Sequence, residues 1–268
     1  MENLSATVDV KFIDGNFVCC WLLNCRWEID LNEAIYVGNK ANLVENSQRI
    51  PFVDSDNHDS TCTEETAYAP NSPYSTSKAA SDHLVQVYHH TYGLEVTMSN
   101  CSNNYGSYHF PEKLIPLIVT NILNNKPLPV YGDGQQIKDW LYVEGHARGI
   151  ELVLKKGRIG ENYNIGGNNE WVNIDIVKLV CKVMSEKFAA NPYLAKRFPN
   201  AKSAIDNNIE QLITYIEDRA GHDRRYAIDA TKTNNELGYV PAESFDIGFA
   251  KTLNWNLDNE KCCSGLQC

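Results

Sequence analysis

From Tyr74 to Leu257, short apolar segments alternate with longer segments in which apolar residues recur at helical spacing. Strands are predicted at Leu94–Met98, Pro127–Gly134, Asp139–Val143, Tyr163–Gly167 and Ile213–Ile216. Helices are predicted at Tyr74–Tyr92, Pro111–Asn124, Glu144–Lys156, Asn173–Glu186 (with Asn173 as its cap), Ala230–Leu237 and Ser244–Leu257. Because alternating strands and helices build sheets covered by helices, the sequence predicts a doubly wound α/β sheet with a smaller lobe beside it.

Three other stretches have weaker patterns. Phe12–Trp27 is rich in apolar residues and is predicted as a helix, because Phe17, Trp21 and the leucines after them can share one stripe. Lys187–Asn208 is polar and contains proline, which predicts an insertion on the surface. The segment Glu28–Thr63 has no clear periodicity.

The composition of the 268-residue chain argues against several classes of function. Its net charge of −10 disfavours a nucleic-acid groove and an anionic membrane surface, although a local basic pocket for a phosphate group is compatible with it. The nine cysteines lack metal-ligand spacing, so no metal site is predicted and the thiols are expected to be reduced. No leader pattern or membrane-spanning apolar run is present, which predicts a cytoplasmic protein.

The helix that begins near Tyr74 has clear start and stop signals. Ser72 can cap its first turn, Pro73 suits the first helical position, and Gly93 can end it. One side is expected to be largely buried, and its apolar or small residues are Tyr74, Ala80, Leu84, Val87, Tyr88 and Tyr92. The polar side is expected to hold Asp82, His83, Gln86 and His90.

Tyr74 and Lys78 lie one helical turn apart and share a face. An ammonium group beside a phenol favours the phenolate and lowers the tyrosine pKa, which suits an acid/base group near neutral pH. The pair therefore predicts a proton-transfer unit. The same spacing occurs between Tyr36 and Lys40, where no helix-capping residues flank it. The spacing alone therefore does not establish a proton-transfer unit.

Amide side chains follow the strand Leu94–Met98, in the run from Asn100 to Gly106. Strand ends in open α/β sheets deliver polar side chains to ligands, so this run is a candidate site. An ordinary Asn/Gly turn is the alternative.

Four ordered motifs, Tyr68–Lys78, Asn100–Gly106, His109–Pro116 and Asp218–Tyr226, resemble the dTDP-glucose 4,6-dehydratase family of the extended short-chain dehydrogenase/reductase superfamily. The likeness runs from about Cys62 to Asn256. It implies an α/β fold with an incomplete doubly wound Rossmann-like parallel sheet and a smaller substrate-binding α/β lobe. Residues 1–110 would be a partial NAD-binding region, residues 111–258 would complete the sheet and form the nucleotide-sugar-binding lobe, and residues 259–268 would be a loose tail.

The resemblance implies NAD as cofactor and dTDP-glucose as substrate, converted to dTDP-4-keto-6-deoxyglucose through transient reduction of NAD. Tyr74 would take the proton of the sugar C4 hydroxyl, and Lys78 would bind the nicotinamide ribose. Asn104 would contact the cofactor and Asn103 the substrate. The nucleotide-sugar pocket would be lined by Lys113, Leu114, Pro129, Val130, Tyr131, Lys138, Asn173, Asp218, Arg219 and His222. The family usually has arginine at position 138, and lysine keeps the charge but loses the bidentate fork.

The N-terminal part departs from the family. Phe12–Val18 resembles the superfamily helix that bears an active-site asparagine, which would make Asn16 a cofactor contact. The only glycines before Gly93 are Gly15 and Gly38, so the glycine-rich dinucleotide turn is absent and NAD is expected to bind weakly. The family's Thr-Asp-Glu trio is also absent. Its nearest counterpart is Ser55-Asp56-Asn57, in which Asp56 would be the acid and an amide replaces the carboxylate base.

Three functions follow from these observations. The first is a dTDP-glucose 4,6-dehydratase family enzyme whose activity is reduced by truncation. The second is a nucleotide-sugar epimerase or decarboxylase, which shares Tyr-x-x-x-Lys and NAD. The third is a non-catalytic nucleotide-sugar-binding remnant, which the missing glycines and glutamate favour. Related enzymes pair through helices like the one that begins at Tyr74, so a homodimer is expected.

Overall fold

The structure is a computed structural model that describes residues 61–260 and three strands before them. The strands are β1 (Lys11–Ile13), β2 (Asn16–Cys19), β3 (Asn42–Asn46), β4 (Val96–Cys101), β5 (Asn103–Tyr105), β6 (Leu128–Tyr131), β7 (Ile137–Tyr142), β8 (Asn162–Ile165), β9 (Glu170–Val172), β10 (Ile213–Ile216) and β11 (Arg225–Tyr226). The helices are α1 (Pro73–Tyr92), α2 (Leu114–Leu123), α3 (Val143–Lys156), α4 (Asn173–Ala190), α5 (Pro192–Arg197), α6 (Lys202–Ile205), α7 (Thr231–Leu237) and α8 (Phe245–Asp258).

The main sheet has the strand order β1-β2-β3-β4-β8. All neighbours pair in parallel except β1 and β2, which form an antiparallel pair. Its core contains Cys101 of β4, Tyr163 of β8 and Val153 of α3, all fully buried. The predicted α/β class with a parallel sheet is therefore confirmed.

Further strands lie beyond the main sheet and support the site. β7 pairs in parallel with β5 and β11 and antiparallel with β9. β6 pairs in parallel with β10. Their largest core cluster draws buried side chains from α2, α4 and α8, which include Ile118, Met184 and Leu253. The second half of the chain thus has a hydrophobic core of its own.

The predicted helix at Phe12–Trp27 is wrong over its described residues, because β1 and β2 occupy Lys11–Ile13 and Asn16–Cys19. Short apolar runs fit a buried strand as well as a helix, and strand pairing decides between the two. Here β2 pairs on one side with β1 and on the other with β3.

The predicted surface insertion at Lys187–Asn208 is also wrong. This segment completes α4 and forms α5 and α6, which pack on the core of the second half. Leu194, Phe198 and Ala201 are buried there. Their spacing of four and three residues is helical, but the polar residues between them hide it in the sequence.

The buried side of α1 differs from the expected one. Ser75, Lys78, Ala79 and Asp82 are its buried residues, and α1 packs against β3 and β4. The large apolar residues face outward instead, for example Leu84, which is 59% exposed. The reason is that polar partners lie inside: the Tyr68 hydroxyl donates a hydrogen bond of 2.5 Å to the Asp82 carboxylate.

Among the residues that the structure describes, no helix combines the length and the apolar character needed to span a membrane. The predicted cytoplasmic location stays a prediction. Residues 261–268 of the predicted loose tail lie outside the described part of the chain.

Replacement of Phe198 tests whether the corrected segment belongs to the core. Because Phe198 is 6% exposed, we expect Phe198→Ala to lower the free energy of unfolding by about 3–5 kcal/mol. Tyr193 lies in the same segment and is 65% exposed, so Tyr193→Ala should change the free energy of unfolding by less than about 1 kcal/mol. Urea denaturation measures the free energy of unfolding of both variants. Equally small losses for the two would mean that the segment does not belong to the core.

Candidate active site

The start of α1 places an accessible phenol beside a buried cation. Ser72 Oγ accepts a hydrogen bond of 3.1 Å from the Ser75 backbone N–H, which confirms the predicted cap. Tyr74 follows in the first turn and is 48% exposed, whereas Lys78 is 3% exposed. The Lys78 Nζ atom lies 5.6 Å from the centroid of the Tyr74 ring. A ligand can therefore reach the phenol while the ammonium group stays beside it.

The loop after β10 touches the chain just before this helix. Gly221 has a φ of +69°, and a Cβ atom there would lie 2.8 Å from the Asn71 carbonyl oxygen. A side chain at position 221 would therefore be strained and would push the loop away. This contact brings residues 218–223 to the start of α1.

Asn104 is held at the other side of the candidate site, within β5. Its Nδ2 group donates to His146 Nδ1 at 2.8 Å and approaches Cys101 Sγ at 3.5 Å. Its Oδ1 atom is buried and has no hydrogen-bond partner among the described residues. Such an oriented acceptor suits a hydroxyl or amide donor of a ligand.

A group of cations lies near β7. Lys138 Nζ is 3.4 Å from the Asp223 carbonyl oxygen and 3.9 Å from its carboxylate. Burial lowers the pKa of Lys138 to about 8; the nearby charge of Asp223 opposes this shift and that of Arg219 adds to it. Burial and then Arg219 also lower the pKa of Lys113. Arg219 thus lies close enough to each of the two lysines to repel it.

Asp218 and His222 form a hydrogen-bonded pair in the same loop. His222 Nδ1 lies 2.6 Å from Asp218 Oδ1. Burial alone would raise the pKa of Asp218, but its hydrogen bonds and the nearby His222 outweigh burial and lower it. Burial lowers the pKa of His222, although the Asp218 hydrogen bond opposes this. The neutral imidazole is therefore favoured beside an ionised carboxylate.

Comparison with known proteins assigns the chain to a family. The family model described as GDP-mannose 4,6 dehydratase matches residues 55–252. The chain belongs to the GDP-mannose 4,6 dehydratase family. A dTDP-glucose 4,6-dehydratase from Escherichia coli is 55% identical over 199 residues, which are 74% of this chain and 52% of that protein. The predicted resemblance to dTDP-glucose 4,6-dehydratases is thereby confirmed.

Solved structures agree with this assignment. A dTDP-glucose 4,6-dehydratase from Streptomyces venezuelae, solved with NAD and TYD bound, superposes with a TM-score of 0.70 at 38% identity over 82% of this chain and 61% of that one. The enzyme of the same name from Bacillus anthracis, in complex with NAD, gives a TM-score of 0.68 at 40% identity and coverages of 82% and 63%. The Rossmann-like fold is shown, and the chain spans about half the length of the relatives that it matches in sequence.

Other residues that the family resemblance predicted lie on β6, at the start of α2 and on β5. Tyr131 ends β6 and is 43% exposed, and Pro129 is half-buried in the same strand. Val130 is 3% exposed and belongs to the hydrophobic core, against which the half-buried Leu114 also packs. Asn103 begins β5 and is half-buried.

The predicted capping role of Asn173 is wrong. Val172 occupies the cap position of α4, and Asn173 is the first residue of the helix. The backbone N–H of Asn173 donates to the Gln136 carbonyl oxygen at 2.8 Å, and its Oδ1 atom is buried without a partner among the described residues. The side chain thus keeps an acceptor for another group, as a binding residue would.

Of two further predicted site residues, the structure describes only one. Asn16 is the first residue of β2, so its predicted helix is wrong. The register of β2, β3 and β4 places Asn16 level with the start of β4, whereas Asn104 lies beyond the other end of β4. Asp56 lies outside the described residues.

The sequence interpretation missed three buried residues near the site. His146 orients Asn104, and the Tyr226 hydroxyl donates to the Cys101 carbonyl oxygen at 2.5 Å. Gln136 donates to Asp218 Oδ2 at 2.9 Å. Gln136 and His146 act through contacts with residues 82 and 42 positions away, which no local pattern signals.

The lowered pKa of Lys138 predicts a pH dependence of stability. Between about pH 8, the folded value, and its ordinary 10.5, the unfolded chain binds more protons. Lys138 should therefore make stability rise with pH across this window, by at most about 1.4 kcal/mol per pH unit. Urea denaturation at pH 7, 8.5 and 10 should show wild type gaining stability relative to Lys138→Met.

The matched control is Lys126→Met, because Lys126 is exposed. Its stability difference from wild type should not vary across the same pH values. If the Lys138→Met difference is equally flat, Lys138 keeps an ordinary pKa in the folded protein.

Proposed function

We propose that the chain binds dTDP-glucose and carries the proton-transfer half of a nucleotide-sugar 4,6-dehydratase site. One observation carries the proposal: the loop at residues 218–223, which bears Arg219 and the Asp218–His222 pair and contacts Lys138 through Asp223, packs through Gly221 against the residue before the Ser72 cap. A diphosphate near this loop and a sugar near Tyr74 would then belong to one continuous ligand. The named relatives and the four motifs support the same substrate.

The cations supply the diphosphate end of this site. Arg219 lies within electrostatic reach of Lys113 and of Lys138, and its charge adds to the effect of burial in lowering both lysine pKa values. A bound diphosphate would relieve this repulsion and raise both values again. Such a local positive field in a chain of net charge −10 is a specific feature, because the overall charge repels anions.

Tyr74 and Lys78 supply the chemistry at the sugar. The exposed phenol would take the proton of the C4 hydroxyl, and the Lys78 ammonium beside it would stabilise the phenolate. NAD, when bound, would accept and later return a hydride. Lys78 and the free acceptor of Asn104 fit the nicotinamide-ribose end of NAD. No glycine-rich turn for the pyrophosphate occurs in the sequence, so we expect the affinity for NAD to be low.

Asp56 remains our proposed acid for the leaving hydroxyl of the sugar. The neighbouring Asn57 lacks the carboxylate that would remove the C5 proton, and the sequence offers no Thr-Asp-Glu trio. Non-catalytic binding of a nucleotide sugar is therefore the second candidate function. The epimerase alternative has less support, because a UDP-glucuronic acid 4-epimerase from Bacillus cereus shares the fold at only 22% identity.

Binding measurements separate these functions. Calorimetric titration of the chain with dTDP should show binding, and Lys138→Ala should weaken it at least about tenfold through loss of a charge-assisted contact. Tyr74→Phe should leave the dTDP affinity within about twofold. If the 4-keto-6-deoxy sugar forms from dTDP-glucose and NAD, Tyr74→Phe should lower its rate about 10²–10⁴-fold.

The outcomes discriminate the candidate functions. Binding of dTDP without product formation identifies the non-catalytic nucleotide-sugar-binding function. Failure of wild type to bind dTDP refutes the proposed substrate site itself. Tight binding of NAD refutes the low affinity expected from the missing glycine-rich turn.

We further propose that the chain pairs through α1 as a homodimer. Leu84, Val87, Tyr88 and Tyr92 of α1 are 44–73% exposed, and together they give this helix an outward apolar stripe. Exposed apolar patches of this kind mark interaction surfaces. A second copy of α1 presents the same stripe, as a two-fold interface requires.

Acidic substitution on the stripe tests the homodimer. In sedimentation velocity at equal concentration, wild type should sediment as a dimer, and the double variant Leu84→Glu with Val87→Glu as a monomer, because carboxylates cannot be buried there without partners. Val240→Glu changes a valine that is 66% exposed outside α1 and should keep the dimer. A monomeric wild type would refute the proposal.

A further inference from the structure

Gln136 lies directly before β7 and is almost completely buried, with 2% of its surface exposed. Its Nε2 group donates a hydrogen bond of 2.9 Å to Asp218 Oδ2, across 82 residues of sequence. A buried amide that donates to a carboxylate forms a charge-assisted hydrogen bond, which is stronger than a neutral one. The contact ties β7 to the loop at residues 218–223.

Both oxygens of Asp218 are already engaged within the protein. Oδ2 accepts from Gln136, and Oδ1 accepts from His222 Nδ1 at 2.6 Å and from the Arg219 backbone N–H at 2.9 Å. Gly132 lies against the carboxylate, because a Cβ atom there would be 2.8 Å from Oδ2. These contacts fix the position of the Asp218 carboxylate and thereby hold the loop at residues 218–223.

His222 connects Asp218 to residues of the proposed nucleotide site. Its ring packs edge-on against Tyr131, with centroids 6.3 Å apart and planes at 87°. The next residue, Asp223, receives Lys138 Nζ. The Gln136 contact therefore fixes, through Asp218 and His222, the position of an exposed aromatic ring and a phosphate-binding cation.

We propose that Gln136 is a positioning residue for nucleotide binding, which acts through Asp218 and His222 on the loop at residues 218–223. The proposal rests on the proposed binding of dTDP. It differs from a direct role of Asp218 as a ligand contact, because the carboxylate is oriented toward Gln136, Arg219 and His222. Gln136 itself need not touch the nucleotide.

Two substitutions of Gln136 distinguish the loss of its hydrogen-bond donor from a change in side-chain shape. At pH 8, Gln136→Leu and Gln136→Glu should each weaken dTDP binding about tenfold, because neither side chain then donates to Asp218. At pH 5, the carboxyl introduced by Gln136→Glu can be protonated, since burial and the adjacent Asp218 carboxylate raise its pKa. It then donates, and the affinity should return to within about threefold of wild type at the same pH, while Gln136→Leu stays weak.

The exposed neighbour Gln135 provides the matched control, and Gln135→Leu should stay within about twofold of wild type at both pH values. Equal affinities of wild type and both Gln136 variants would overturn the proposal. Absence of recovery for Gln136→Glu at pH 5 would also overturn it, because the donated proton would then be irrelevant. Asp218→Asn combined with Gln136→Leu should be no weaker than Asp218→Asn alone, since Gln136 acts through Asp218.

The His222 pKa, measured by NMR, gives a readout independent of dTDP. Asp218, Arg219 and Lys138 are the charged groups that act on His222. Above the pKa of the introduced carboxyl, Gln136→Glu adds a negative charge to this group and should raise the His222 pKa, whereas Gln135→Leu should not change it. If wild type does not bind dTDP, the proposed function fails. A raised His222 pKa in Gln136→Glu would still support the contacts from Gln136 through Asp218 to His222. An unchanged His222 pKa would overturn the role proposed for Gln136.

Discussion

The close contact between Gly221 and the Asn71 carbonyl oxygen is the constraint on which the candidate site depends. It joins a loop of the second half to the start of α1, so the cations and the Tyr74–Lys78 pair are positioned relative to each other by backbone rather than by flexible side chains. The left-handed φ of Gly221 makes this approach possible. The Ser72 cap on the other side of the contact fixes the first turn of α1 and with it the direction of Tyr74.

The electrostatics of the site oppose those of the whole chain. The chain is acidic, yet burial and then the nearby charge of Arg219 lower the pKa values of Lys113 and Lys138. Keeping such cations together costs free energy in the absence of an anion, and a diphosphate would recover it on binding. Lysine rather than arginine at position 138 makes this charge sensitive to pH, because burial brings the lysine pKa to about 8.

The two sides of α1 differ in character. Its inner side is polar and small, and it buries Lys78 and Asp82 against the sheet. Its outer side carries the large apolar residues that would bury surface only in an assembly. A helix with its apolar stripe outward is the arrangement expected of a subunit interface, so the helix with the proposed proton-transfer pair would also form the proposed dimer contact.

The sequence by itself determined the class of fold, most element positions in the second half and the identity of the motifs. Those features follow from local periodicity, capping and turn chemistry, which act within a few residues. It also pointed to Tyr74, Lys78, Asn104 and Lys138, because their motifs are compact in sequence.

Only the tertiary structure decided which side of a helix is buried and which short apolar segments pair as strands. The side of α1 that is buried depends on Tyr68 as a partner for Asp82, and Lys11–Ile13 and Asn16–Cys19 form strands because neighbouring strands supply hydrogen-bond partners. Gln136 and His146 acquired roles through residues 82 and 42 positions away. Sequence patterns report local preference, whereas burial and hydrogen bonding are settled by distant parts of the chain that meet only on folding.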